Sequence, residues 1–146
     1  MIHFKFSLRP DQGDPSGFDL GDVVVTGEGG MSTSAGQSPD QGMMIYLSVS
    51  LLLDQMANLV TSSSGSFEFV GADSSFALAF RMRGSVVETS GRDGVVGAAD
   101  SSEFVEELLR AAEEFAASEL GGLPESDAVR EDFSTSLLQF RRGLTR

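Results

Sequence analysis

Two hydrophobic periods divide this chain, and the place where one gives way to the other constrains its fold most. Up to about Val96, with one interruption, apolar residues recur at every second position, as in half-buried strands. Beyond Asp100 they recur every third or fourth residue, as on one face of a helix. Strands grouped ahead of helices favour an α+β arrangement over alternating β and α units.

The first strand is expected at Ile2–Leu8, where Ile2, Phe4, Phe6 and Leu8 alternate with His3, Lys5 and Ser7. Arg9-Pro10 ends it, and Gly13, Pro15 and Gly17 mark the following turn region. A second strand is expected at Leu20–Thr26. Residues 27–42 read as the longest loop, mobile because Met31 is the one large apolar residue it could bury.

Residues 43–61 support two readings. Ile45, Leu47, Val49 and Leu51 alternate with Tyr46, Ser48 and Ser50, whereas Leu52, Leu53, Met56, Leu59 and Val60 fall at helical spacing. The expectation is a strand at Met43–Val49, with the Tyr46 hydroxyl at a sheet edge, then a helix at Ser50–Thr61 with Ser50 as N-cap. One continuous helix from Met43 is the rival. Ser66–Val70 and Phe76–Arg83 then form a hairpin about Gly71–Ser74. Val86–Thr89 and Gly94–Val96 form another about Ser90–Asp93, with Gly84 bending the chain between the two units.

Asp100 followed by Glu103 suits a helix start, because acids near the first turn complement the dipole. Phe104, Val105, Leu108, Leu109, Ala112, Phe115, Ala116 and Leu120 form its apolar stripe, and Gly121-Gly122 ends it. A second helix from about Ser126 buries Val129, Phe133, Leu137 and Phe140, with Arg141 and Arg142 at its negative end. The expected architecture is therefore one α+β domain over residues 1–146. It would have an antiparallel sheet of about five to seven strands, with one short and two C-terminal helices packed mainly on one face.

Charge narrows the function. The net charge is −12, and most of it lies between Ala98 and Asp132, where eleven acids face only Arg110 and Arg130. That field repels phosphate backbones and attracts cations, so a nucleic-acid partner is not expected and a basic protein partner is. Cysteine is absent, which removes disulfides, thiolate metal sites and a cysteine nucleophile, and suits a reducing cytoplasm. The N-terminus lacks the pattern of a signal peptide, and Met43–Leu53 is too short to span a bilayer, so no membrane partner is expected.

No catalytic constellation can be assembled. The single histidine, His3, alternates with Ile2 and Phe4 and so faces solvent, leaving no Ser-His-Asp triad. Gly27-Glu28-Gly29-Gly30 lacks the third glycine of a dinucleotide fingerprint, and Gly30–Gly36 lacks the spacing and lysine of a phosphate loop. Asp11, Asp14, Asp19 and Asp22 lack the ordered spacing of a calcium loop and read as turn formers. No cofactor or metal is therefore expected. Glu103, Glu106, Glu107, Glu113 and Glu114 lie along the first C-terminal helix opposite its stripe, a solvated face that could recognise a basic partner. Arg81 and Arg83 share one strand face, with Arg92 in the next turn, as a candidate anion patch.

A strand, a short helix carrying Asp54, an aromatic hairpin (Phe67-Glu68-Phe69, Phe76–Phe80) and an acidic helical region follow one another across residues 43–142. In order and composition this resembles the small acidic immunity proteins of bacterial polymorphic toxin systems. The resemblance implies a non-catalytic inhibitor that meets a basic toxin domain through an acidic surface. It does not extend to the first two strands or the long loop. Two other classes compete: a self-assembling scaffold, in which case the partner is a second copy in a homodimer, and a small-anion binder or enzyme using Arg81 and Arg83.

Overall fold

The computed structural model describes residues 1–143 and bears out the α+β class; the last three residues of the expected domain lie outside the described residues. Eight antiparallel strands divide between two four-stranded sheets. In the first, β1 (Ile2–Leu8) pairs along its length with β2 (Leu20–Gly27). The other edge of β2 is shared by β3 (Gly30–Thr33) and the two-residue β4 (Met43–Met44). The second sheet is a meander of β5 (Ser66–Val70), β6 (Ala77–Arg83), β7 (Val86–Gly91) and β8 (Gly94–Asp100), with a bulge at Thr89/Ser90. Three α-helices complete the described residues: α1 (Ile45–Ser62), α2 (Ser101–Glu119) and α3 (Ala128–Gly143).

Glycines allow the two sheets to meet. The Gly29 N–H donates to Val96 O at 2.8 Å, and the N-terminal ammonium donates to Ala98 O at 2.9 Å. A Cβ on Gly27 would lie 2.5 Å from Val96 O, and one on Gly97 would lie 2.9 Å from Met1 O. Backbone meets backbone here at a distance that no side chain permits.

Aromatic rings then join the layers. Phe4 of β1, Phe80 of β6 and Phe104 of α2 are fully buried, with Phe104 edge-on to Phe4 at 5.6 Å and to Phe80 at 5.8 Å. A second cluster links the helices: Tyr46 of α1 lies 5.3 Å from Phe115 of α2 and 6.2 Å from Phe133 of α3. Burying each such side chain contributes about 1.5–3 kcal/mol.

Residues 43–62 correct the split expectation. Only Met43 and Met44 are strand, and the helix starts at Ile45. Ile45, Ser48, Val49, Leu52, Met56 and Leu59 are buried at helical spacing, while Leu51, which the alternation would place inside, is exposed. Ser50 is consequently not a cap. The first N–H groups reach tertiary carbonyls instead: Met44 N donates to Ala72 O and Ile45 N to Asp19 O. Ser48 is fully buried between two main-chain groups, its hydroxyl donating to Met44 O and accepting from Ala72 N–H. Tyr46 lies in the helical core, not at a sheet edge, and its hydroxyl donates to Glu119 O at 3.3 Å. Burial first, then the nearby charges of Glu119, Asp19 and Asp127, push it up to about 12.

The expected loop 27–42 contains β3, and a charge cluster fixes its far end. Arg9 donates two hydrogen bonds to Asp22 (2.9 and 3.0 Å) and two to Asp40 (both 2.9 Å). The fully buried Ser34 donates to Asp22 at 2.8 Å and accepts from Val23 N–H. Hydrogen bonds to Asp40 and then Asp22 raise the Arg9 pKa above its usual range. Burial alone would raise the Asp22 carboxyl, but the bonds from Arg9 and Ser34 outweigh it and hold it low.

Candidate functional site

The acidic helix α2 begins where the sequence suggests. Asp100 is its N-cap and accepts from Ser102 N–H at 3.2 Å, with Glu103 in the first turn. Phe104, Val105, Leu108, Ala111, Ala112 and Phe115 face the core. The five acids on which a partner surface was expected divide into two groups.

Glu103 and Glu106 are exposed and enter none of the ion pairs among the described residues. The other three are engaged within the chain. Glu113 pairs with Arg141 of α3 at 3.4 Å. Glu114 pairs with Arg110 at 2.6 Å and with Lys5 at 3.6 Å.

Glu107 corrects the expectation of a solvated face, because its side chain is only 16% exposed and turns toward β1. It accepts the Phe4 N–H at 2.8 Å and two bonds from Arg110, at 2.7 and 2.9 Å, and lies 3.2 Å from His3 Nδ1. Arg110 in turn donates to Phe4 O at 3.2 Å. The pair therefore does for Phe4 what a neighbouring strand would do. Burial pushes the Glu107 carboxyl up, but the bonds from Arg110 and the Phe4 N–H outweigh that and hold it low. One signal was available in sequence: residue 107 is three from Phe104 and four from Ala111, at the border of the stripe.

The structure does not gather the three candidate anion-binding arginines. Arg81 and Arg83 project from the outer face of β6, Arg83 lies 3.5 Å from Glu88, and Arg81 stands in register with Glu88. Arg92 sits in the β7–β8 turn, at the opposite end of the β6–β7 ladder. Of the N-terminal aspartates, Asp19 serves a turn, accepting from Ser16 N–H, whereas Asp22 lies in β2 and belongs to the Arg9 cluster. No group of three or more His, Asp or Glu is placed to hold a metal ion among the described residues. No helix among them is long and apolar enough to cross a membrane.

Two concave features were not visible in the sequence. An open cleft of about 940 Å³ lies between β3, the 37–41 segment and the second sheet. It is lined by small residues, Ala77, Ala79 and Ser90 among them, together with Gln37, Gln41, Glu68, Arg92 and Asp93. A groove of about 230 Å³ runs between β1 and the second half of α2. Comparison with protein-family models, curated proteins and solved structures finds no match.

Proposed function

We propose that this protein is a non-catalytic binding protein, of the immunity or inhibitor kind, that holds a basic polypeptide partner against the acidic surface of α2. The observation that carries this reading is the distribution of charge around that helix. Each cation paired with α2 is already engaged by an acid: Arg110 by Glu107 and Glu114, Lys5 by Glu114, and Arg141 by Glu113. Glu103 and Glu106 remain exposed and outside the ion pairs among the described residues, on a chain of net charge −12. A surface of this kind steers cationic proteins and raises association rates in a salt-dependent way.

The experiment is affinity capture of the partner from native lysate, followed by binding kinetics across ionic strength. The test variant is Glu103→Lys with Glu106→Lys, because Glu107 is needed by the fold. Association should slow and its salt dependence should flatten. An unchanged association rate and salt slope would overturn the proposal.

A further inference from the structure

We propose that the groove between β1 and α2 takes an extended, basic peptide segment, which adds to β1 as a short strand beside Phe6 and Leu8. This rests on the reading of the partner as a basic polypeptide and specifies how it is held.

Along an antiparallel edge strand, successive residues turn their main-chain groups alternately toward the partner strand and away from it. Phe4 turns its N–H and C=O away from β2, toward Glu107 and Arg110. Arg9 turns its N–H toward β2 and donates to Leu20 O. Residues of even number in β1 therefore present their main-chain groups outward, and Phe6 and Leu8 do so at the free edge. At Phe4 that edge is closed by side chains from α2. Two residues further on, no described residue replaces them, and the groove opens there.

The far wall is one stripe of α2, with Ala111, Glu114, Phe115, Ser118 and Glu119 at three- and four-residue spacing. Ala111 and Ser118 are small, so their side chains leave the space between helix and strand unfilled. From Phe4 to Leu8 the strand advances roughly 13 Å. From Arg110 to Ser118 or Glu119 the helix advances roughly 12–14 Å, so the two walls end together. At about 230 Å³ the groove holds roughly seven or eight waters, enough for two or three residues of a strand rather than a globular ligand.

Charge complementarity selects the occupant. The groove ends at the C-terminal turn of α2, the negative end of its dipole, which carries no basic residue. Glu119 stands there outside any ion pair among the described residues, whereas Glu114 is held by Arg110 and by Lys5, which also lines the groove, so Glu119 is the acid left for a cation. Main-chain groups of the peptide would meet those of Phe6 and Leu8, and an arginine or lysine side chain would meet Glu119 and the last carbonyls.

The test is a titration of isotope-labelled protein with an acetylated, amidated Val-Arg-Val-Arg-Val peptide, followed by amide resonances. Saturable shifts are expected at Phe6, Leu8 and Ala111–Glu119, with none from Val-Glu-Val-Glu-Val. Ser118→Trp, at an exposed position that fills the groove from above, should weaken binding roughly tenfold or more. No saturable shift at millimolar peptide, shifts confined to the cleft beside Gln37 and Arg92, or Ser118→Trp binding like the parent would overturn the proposal. With the captured partner, sensitivity to Glu103→Lys/Glu106→Lys but not to Ser118→Trp overturns the groove and leaves the acidic-face reading standing. The reverse pattern keeps the groove and removes the acidic face.

Discussion

The Glu107 carboxylate accepts the main-chain N–H of Phe4 at 2.8 Å, across 103 residues of sequence. A side chain that helix periodicity alone assigns to a solvated face is thus part of a sheet edge. Glu107→Ala leaves that N–H and the Arg110 guanidinium without their acceptor, and should cost about 1–3 kcal/mol. Glu106→Ala, one residue away and exposed, should stay within about 0.5 kcal/mol. Urea unfolding of the two variants separates them, and equal losses would remove Glu107 from the edge.

Acid should destabilise the protein through the same group. Glu107 and Asp22 both have folded pKa values below their ordinary 4.5 and 3.8. Their stabilisation is present above those ordinary values and is lost as pH falls through the lower folded ones. The melting temperature should therefore drop as pH is lowered below about 4.5, and Glu107→Gln should flatten that part of the profile. An identical profile for parent and variant would assign the acid limb elsewhere.

Arg9 holds Asp22 and Asp40 together, and Asp22 is the less exposed of the two. Arg9→Met should cost about 3 kcal/mol, because it strands a largely buried carboxylate. Asp40→Asn should instead leave global stability nearly unchanged and speed amide hydrogen exchange across residues 37–42. Equal melting temperatures for Arg9→Met and the parent would count against the cluster as the anchor of that segment.

The contact between the two sheets predicts a sharp contrast among glycines. Gly27→Ala forces a Cβ to within 2.5 Å of Val96 O and should cost about 1–3 kcal/mol or more. Gly121→Ala has open space and should stay within about 0.5 kcal/mol. Thermal unfolding of both variants is the check.

The start of α1 can be tested with two serines. Ser48→Ala leaves the half-buried Ala72 N–H unpaired and should cost about 1 kcal/mol. Ser50→Ala should be nearly neutral, although an N-cap at Ser50 would have made it cost about 1 kcal/mol. A larger loss at Ser50 than at Ser48 would restore the split reading of this segment.

Part of the candidate site was legible from helix periodicity alone. Glu103 and Glu106 lie away from the stripe that buries Phe104, Leu108 and Phe115, and both are exposed. Glu107 was not legible, because its position at the stripe border is compatible with solvent or with a neighbouring element. Only the packing of α2 on β1 chooses between them. The groove beside Phe6 and the cleft beside Arg92 are products of the same packing, since each is walled by segments far apart in sequence.

The sequence by itself determined what depends on neighbours along the chain: most strands and helices, the Asp100 cap, the α+β class and the acidity of α2. Period and capping are properties of a few consecutive residues, so they survive without knowledge of the rest. Tertiary structure decided where the strands part into two sheets, which acids stay in water, and that Ser48 and Tyr46 belong to a buried helix. Those outcomes depend on satisfying buried main-chain groups across long separations. In residues 45–51 alternation and helical spacing coexist, and contacts with Ala72, Asp19 and Phe115 settle them as helix.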